Sequence, residues 1–220
     1  MPATVAEIDS WSSLKLAWYA TGEAQCASIA DDIAYDAHDI DDGLRAGLLD
    51  FVELTEVPAL GRLAAAIVRD YPELAPERLA PELVRRLINW LVEDVLAETG
   101  RRLGGADPGS PDDIRGLGRP VVAFSDATAE SEAAIKKYLR SRLYFSAPVA
   151  DVMAKAEELV VDLFGRYWQD DSALPPDWRA RPGEHSEARA RHIADFLAGM
   201  TDSFALAEYR RLFDRVPDFG

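Results

Sequence analysis

Along most of the chain the apolar positions recur every three or four residues, which is the spacing of amphipathic helices rather than of half-buried strands. Residues 23–40 show it first: alanines and isoleucines interleave with acids, and no glycine or proline interrupts. GLRAGLLD (43–50) predicts a short following helix with Asp41 or Asp42 as its N-cap. PALGRLAAAIVRDY (58–71) opens with a proline suited to a first turn. Residues 80–104 predict a long helix with Leu83, Leu87, Trp90, Leu91, Val95 and Leu103 as its apolar stripe, stopped by Gly104 and Gly105. The Gly-, Pro- and Asp-rich stretch 104–120 predicts an irregular loop, and VVAF (121–124) is too short for a sheet. Ser125 or Asp126 caps a helix over 127–145. A helix over 148–168 turns Val152, Ala156, Leu159, Val160 and Leu163 inward. After a second loop at 174–185, Ser186 starts helical sequence that runs to 216. The predicted class is all-α, as one helical domain over residues 1–220 with an excursion at 104–120.

Composition narrows what such a domain does. The 220 residues carry a net charge of −15, a field that repels phosphate backbones and disfavours general nucleic-acid binding. A single cysteine, Cys26, excludes an internal disulfide, and its setting among alanine, serine and isoleucine predicts a buried, inert thiol. Trp90 and Trp168 sit in apolar stripes and read as core. There is no basic start followed by an apolar segment, and no apolar run approaches the roughly 18 residues of a membrane span. The expectation is a cytoplasmic protein without a membrane partner.

The candidate chemistry lies in the first helix, where Asp31, Asp32, Asp36, Asp39, Asp41 and Asp42 crowd together around Tyr35 and His38. Like charges at this spacing repel unless something offsets them. On a helix Asp31, Tyr35 and Asp39 are four apart and share nearly one face, with Asp32 and Asp36 on a neighbouring stripe. A carboxylate at one end of such a stripe is a possible ligand for a divalent metal, and a tyrosine with a second carboxylate can hold a sugar hydroxyl or a phosphate. On the residues alone, the favoured reading is a solvated acidic face. A calcium loop fails on spacing, because Ile40 and His38 fall where acids belong. His38, His185 and His192 make no metal-ligand spacing, and neither a phosphate-binding Gly-Lys loop nor a Gly-x-Ser-x-Gly elbow occurs.

EAQCASIADDIAYDAHDIDDGLRAGLL (23–49) resembles the deoxyguanosine triphosphate triphosphohydrolase-like family of the HD superfamily. GRPVVAFSDA (118–127), VMAKAEELVVDLF (152–164) and ADFLAGMTDSFALAEYRRLFD (194–214) fit it in the same order. The resemblance implies a helical fold and a hydrolase that splits a deoxynucleoside triphosphate into deoxynucleoside and triphosphate. It implies a divalent cation such as Mg²⁺ or Mn²⁺, held by His, a His-Asp pair and a distant Asp. Asp31 matches that distant ligand. Tyr35 and Asp39 match the residues facing deoxyribose and phosphates, and Asp32 lies beside them. In the family the His and His-Asp ligands lie upstream of ADDIAY, and no histidine precedes Asp31 here. The chain therefore reads as a C-terminal portion lacking an N-terminal half, inactive alone. Its expected partners are a dNTP and either that half or further copies of itself. LYFSAP (143–148) departs from the more basic stretch expected there. The alternative is a non-catalytic helical module for nucleotide binding, assembly or regulation.

Overall fold

In the computed structural model, Ser13, residues 18–179 and residues 186–215 are described. Among them are helices and turns and no strand, as the periodicity predicts. They form two compact units dividing between Tyr144 and Phe145, so the 104–120 stretch lies inside the first unit rather than at a boundary.

In the first unit, α1 spans Gly22–Arg45, capped by Thr21, whose hydroxyl accepts from the Ala24 N–H at 3.2 Å. The helix continues through Gly43, where a new helix was predicted. Asp41 does not cap; it pairs with Arg45 one turn on, at 2.7 Å. A Cβ on Gly43 would lie 2.6 Å from Leu49, so only glycine lets the returning chain pack this closely. Gly47, at φ 68, reverses the chain, and Asp50 caps the short α2, Phe51–Leu54. Helix α3 is Pro58–Asp70, with its proline in the first turn as expected. A 3₁₀ turn at Pro76–Arg78 leads into α4, Leu79–Ala106.

Gly104 and Gly105 do not stop α4. Each glycine weakens a helix, but termination needs a residue in the left-handed conformation, and Asp107 supplies it at φ 46 while donating its N–H to the Leu103 carbonyl. The expected loop also contains α5, Pro111–Gly116, with Ser110 accepting from the Asp113 N–H. The Ser-Pro-Asp-Asp run is a helix-start signal whose short length hides it in composition. Helix α6, Asp126–Leu139, is capped by Ser125 and opens at Arg140–Tyr144 into a π-helical turn.

Helices α1 and α3 each pack against α4 and α6. Ile33 and Ile40 of α1, Leu60 and Ile67 of α3, Leu87 and Leu91 of α4, and Ile135 and Leu139 of α6 share one core. The irregular segment 120–125, which aims α6, is tied down by polar side chains from two helices. Gln25, 6% exposed, donates to the Ala20 carbonyl at 2.8 Å and accepts from the N–H groups of Val121 and Val122 at 2.8 and 3.1 Å. Arg102 donates to the carbonyls of Pro120 and Phe124 at 3.1 and 3.3 Å, oriented by Glu98 at 2.6 Å. Arg101 and Arg102 hold the Glu98 carboxyl down at about 2. Asp94 accepts from both the N–H and the hydroxyl of Ser125, at 2.8 and 2.7 Å.

The second unit contains α7 (Ala147–Gln169), α8 (Ser186–Ala198) and α9 (Asp202–Phe213), with α8 and α9 packed on α7. Its core joins Leu159, Leu163, Tyr167, Ile193, Phe196 and Tyr209. Two hydroxyls brace it: Tyr167 donates to Glu208 and Tyr209 to Asp162, at 2.8 and 2.7 Å. Val152 and Val160 do not face inward; they are 40% and 50% exposed, because α7 carries more apolar positions than one seam can cover. Trp168 is likewise outside the core, stacked on Phe164 with the Arg189 guanidinium over its ring. The C-terminal helical stretch breaks at Gly199–Thr201, where Thr201 caps α9.

Truncating Gln25 to Ala leaves the Val121 and Val122 N–H groups buried without an acceptor. The expected loss is about 2–4 kcal/mol, read as a lower urea midpoint. An unchanged midpoint would show that the segment does not depend on Gln25.

Candidate functional site

Each helical residue turns about 100° from the last, and this gives α1 distinct faces. Ile33, Ala37 and Ile40 point to the core. Asp31 and Tyr35 point outward, with Tyr35 62% exposed. A step of four residues overshoots one turn by about 40°, so the Asp31–Tyr35–Asp39 stripe winds toward α6. Asp39 thus reaches the hydroxyl of Tyr144, which donates to its carboxylate, while Asp31 stands in solvent two turns away. The π turn brings this contact about: its wider winding seats Leu143 in the core and leaves Tyr144 over α1. Burial and the bond to Asp39 push the Tyr144 hydroxyl up to about 12.

Asp32 and Asp36 lie on the flank facing α6. Lys136 donates to Asp32 at 2.8 Å and pairs with Glu132 one turn before it. Burial would lower the Lys136 ammonium, but the bonds to Asp32 and Glu132 outweigh it and hold the group above its ordinary value. Asp36 is 3% exposed, and its Oδ2 has no hydrogen-bond partner. Burial, with Glu132, Asp32 and Asp39 nearby, raises its carboxyl to about 7 against the pull of Lys136.

The opposite flank of α1 forms a groove of about 460 Å³ with α4. Ala30, Ala34 and Ala37 line one side, and Ile88, Val92 and Leu96 the other; the last three are 37%, 39% and 67% exposed. Cys26 opens into this groove and is exposed, contrary to the expected buried thiol, because its position on α1 falls toward the gap rather than the core.

These donors do not make a metal centre. Asp31 offers one carboxylate. His38 follows it by seven residues, about 10 Å along the axis, whereas ligands sit about 2–2.3 Å from a bound zinc-sized ion. Among the described residues no three His, Cys, Asp or Glu side chains come together to hold an ion. His192 packs against the Trp178 ring at 5.0 Å in the second unit, and His185 lies outside the described residues.

The structure therefore brings Asp39 together with Tyr144, and Asp32 with Lys136, while Asp31 and Tyr35 face outward. Lys136 and Tyr144 were not singled out in sequence. Lys136 sits in an ordinary amphipathic pattern 104 residues from Asp32, and a π turn leaves no periodic mark. No described helix is long and apolar enough to cross a membrane.

Residues 122–211 match the family model described as a phosphohydrolase-associated domain. Along nearly its whole length the chain is similar to proteins named deoxyguanosinetriphosphate triphosphohydrolase-like protein. The relative from Bradyrhizobium sp. is 51% identical, over 99% of this chain and 56% of its own length. Those from Brucella ovis and Nitrobacter hamburgensis are each 47% identical, over 100% and 99% of this chain and 55% of their own lengths. The chain thus spans little more than half the length of these relatives.

Replacing Tyr144 by Phe removes a hydrogen bond to a charged, half-buried Asp39. A stability loss of about 1–2 kcal/mol in the melting transition is the expected outcome. A loss of 4 kcal/mol or more would mean that the π turn itself had collapsed.

Proposed function

We propose that this chain, which belongs to the deoxyguanosinetriphosphate triphosphohydrolase-like family, supplies one wall of a site that splits a deoxynucleoside triphosphate into deoxynucleoside and triphosphate. The observation that carries this reading is the outer surface of α1. Asp31 and Tyr35 stand free on it, and Asp39 shares its edge with Tyr144. Family members match this chain along that whole segment.

The roles follow from the chemistry of each group. Tyr35 offers a hydroxyl that both donates and accepts, and Asp39 an acceptor; a deoxyribose hydroxyl needs both. Asp32 flanks them as a further acceptor once it is clear of Lys136. Asp31 is the carboxylate available to a divalent cation, Mg²⁺ or Mn²⁺, which would supply Lewis-acid charge to the phosphates. Among the described residues the donors do not complete such a centre. Turnover therefore requires His and His-Asp ligands from outside the described set, and residues 1–220 alone bind nucleotide without hydrolysing it.

Calorimetric titration of the 220-residue chain with dGTP, paired with an assay for released triphosphate in Mn²⁺, tests this. Binding weakened about 10-fold by Tyr35→Phe or Asp39→Asn, without triphosphate release, is the expected pattern. Binding indifferent to both substitutions removes the substrate wall. Triphosphate release that Asp31→Asn abolishes removes the claim of inactivity.

The apolar α1–α4 groove favours a second reading, in which the chain is an assembly module that self-associates without turnover. An exposed leucine, valine and isoleucine on one helix face is a surface that excludes water best when covered. On this reading Leu96→Glu shifts the protein from oligomer to monomer in light scattering while leaving dGTP affinity unchanged. A chain that is monomeric before the substitution counts against it.

A further inference from the structure

We infer that Asp36, Lys136 and Asp32 form a proton-controlled latch between α1 and α6. While Asp36 is neutral, Lys136 holds Asp32 and Glu132 across the two helices. When Asp36 ionises it takes over the ammonium and releases Asp32 toward solvent.

The argument starts from an unmatched buried atom. Asp36 is 3% exposed and its Oδ2 has no partner. A neutral carboxyl tolerates that position, whereas an ionised one with a bare oxygen in low dielectric does not. Charging Asp36 therefore demands a donor. The groups that face it are Asp32 and Asp39 on its own helix, Glu132 and Lys136 on α6, and, through Asp39, the hydroxyl of Tyr144. The Tyr144 hydroxyl is already committed to Asp39, so Lys136 is the available cation among them.

Lys136 can respond. Its side chain is 43% exposed on a flexible four-carbon stem, and its partner Asp32 is 50% exposed. Asp32 can exchange the ammonium for water at small cost, because exposed ion pairs contribute little. Asp36 has no water to turn to. Of the three carboxylates around the one ammonium, Asp32 is the most exposed and gives it up at least cost, while Glu132, 13% exposed, keeps its hold as Asp36 gains it. Burial and the surrounding carboxylates put the Asp36 transition at about 7, so the exchange falls near neutral pH. The sign follows: Asp36 has a folded value above its ordinary 3.8, so its contribution to stability is complete below that value and is lost as pH rises through about 7.

The latch bears on the reading of α1 as a substrate wall, since Asp32 would join Tyr35 and Asp39 on it only at the higher pH; that consequence rests on the proposed function, and the latch itself does not. Carbon-detected NMR of the 220-residue chain between pH 5 and 8.5 tests it without nucleotide. One carboxyl assigned to Asp36 should titrate with a midpoint near 7, and the signals of Asp32 and the Lys136 Cε should move with the same midpoint. In Asp36→Asn those two signals stay flat, and the melting temperature no longer falls between pH 5 and 8 as it does in the unsubstituted chain. Lys136→Gln, which keeps the buried carboxyl, shifts the Asp36 midpoint upward. The latch is overturned by an Asp36 midpoint near 4, or by Asp32 and Lys136 signals that do not follow Asp36. A dGTP affinity that is flat with pH while the latch titrates removes Asp32 from the substrate wall and leaves the latch intact.

Discussion

The first unit depends on how one stretch of bare backbone is held. Segment 120–125 is irregular, in neither helix nor strand, so burial would leave its N–H and C=O groups unmet without partners from elsewhere. Gln25 from α1 and Arg102 and Asp94 from α4 answer those of Val121 and Val122, of Pro120 and Phe124, and of Ser125. Because Ser125 is both the last residue of this segment and the cap of α6, the same bonds fix where α6 begins. Everything α6 carries toward α1, from Glu132 and Lys136 to the π turn and Tyr144, inherits its position from them.

That placement explains how α1 tolerates its charge. Asp41 is paired with Arg45 on its own helix, Asp32 with Lys136, and Asp39 with the Tyr144 hydroxyl. Asp31 and Asp42 keep their water. Asp36 has neither a counterion of its own nor solvent, and it carries the shifted carboxyl. The crowding is thus several different situations at one-residue intervals, separated by the 100° turn between neighbours. The groove on the other flank, walled by alanines, belongs to the same helix and has none of this charge apart from Asp41 at its rim.

The helices were legible because their stripes are: Leu83, Leu87 and Leu91 are all fully buried, as their spacing required. Boundaries were less so. Asp107 ends α4 through a backbone conformation that composition does not announce, and Ser110–Asp113 begins a helix inside what reads as loop. The stripe Asp31–Tyr35–Asp39 was correctly placed off the core, yet its 40° drift per step separates an exposed end from one bound by Tyr144. Periodicity within one helix cannot report a partner on another, and so Lys136 and Tyr144 were invisible. Cys26 misled because the side of α1 it shares with Ala30 opens into the groove.

Gln25 has a property that the arginine and lysine contacts lack: it makes its bonds without net charge. Ion pairs at the surface fade as dissolved ions gather, over a screening length of about 10 Å at 0.1 M salt. An uncharged amide, buried between Ala20 and Val121–Val122, offers mobile ions nothing to screen. In a chain with net charge −15, whose long-range repulsions all change with ionic strength, Gln25 is therefore the salt-indifferent part of the joint that sets α6, beside the charged contacts of Arg102 and Asp94.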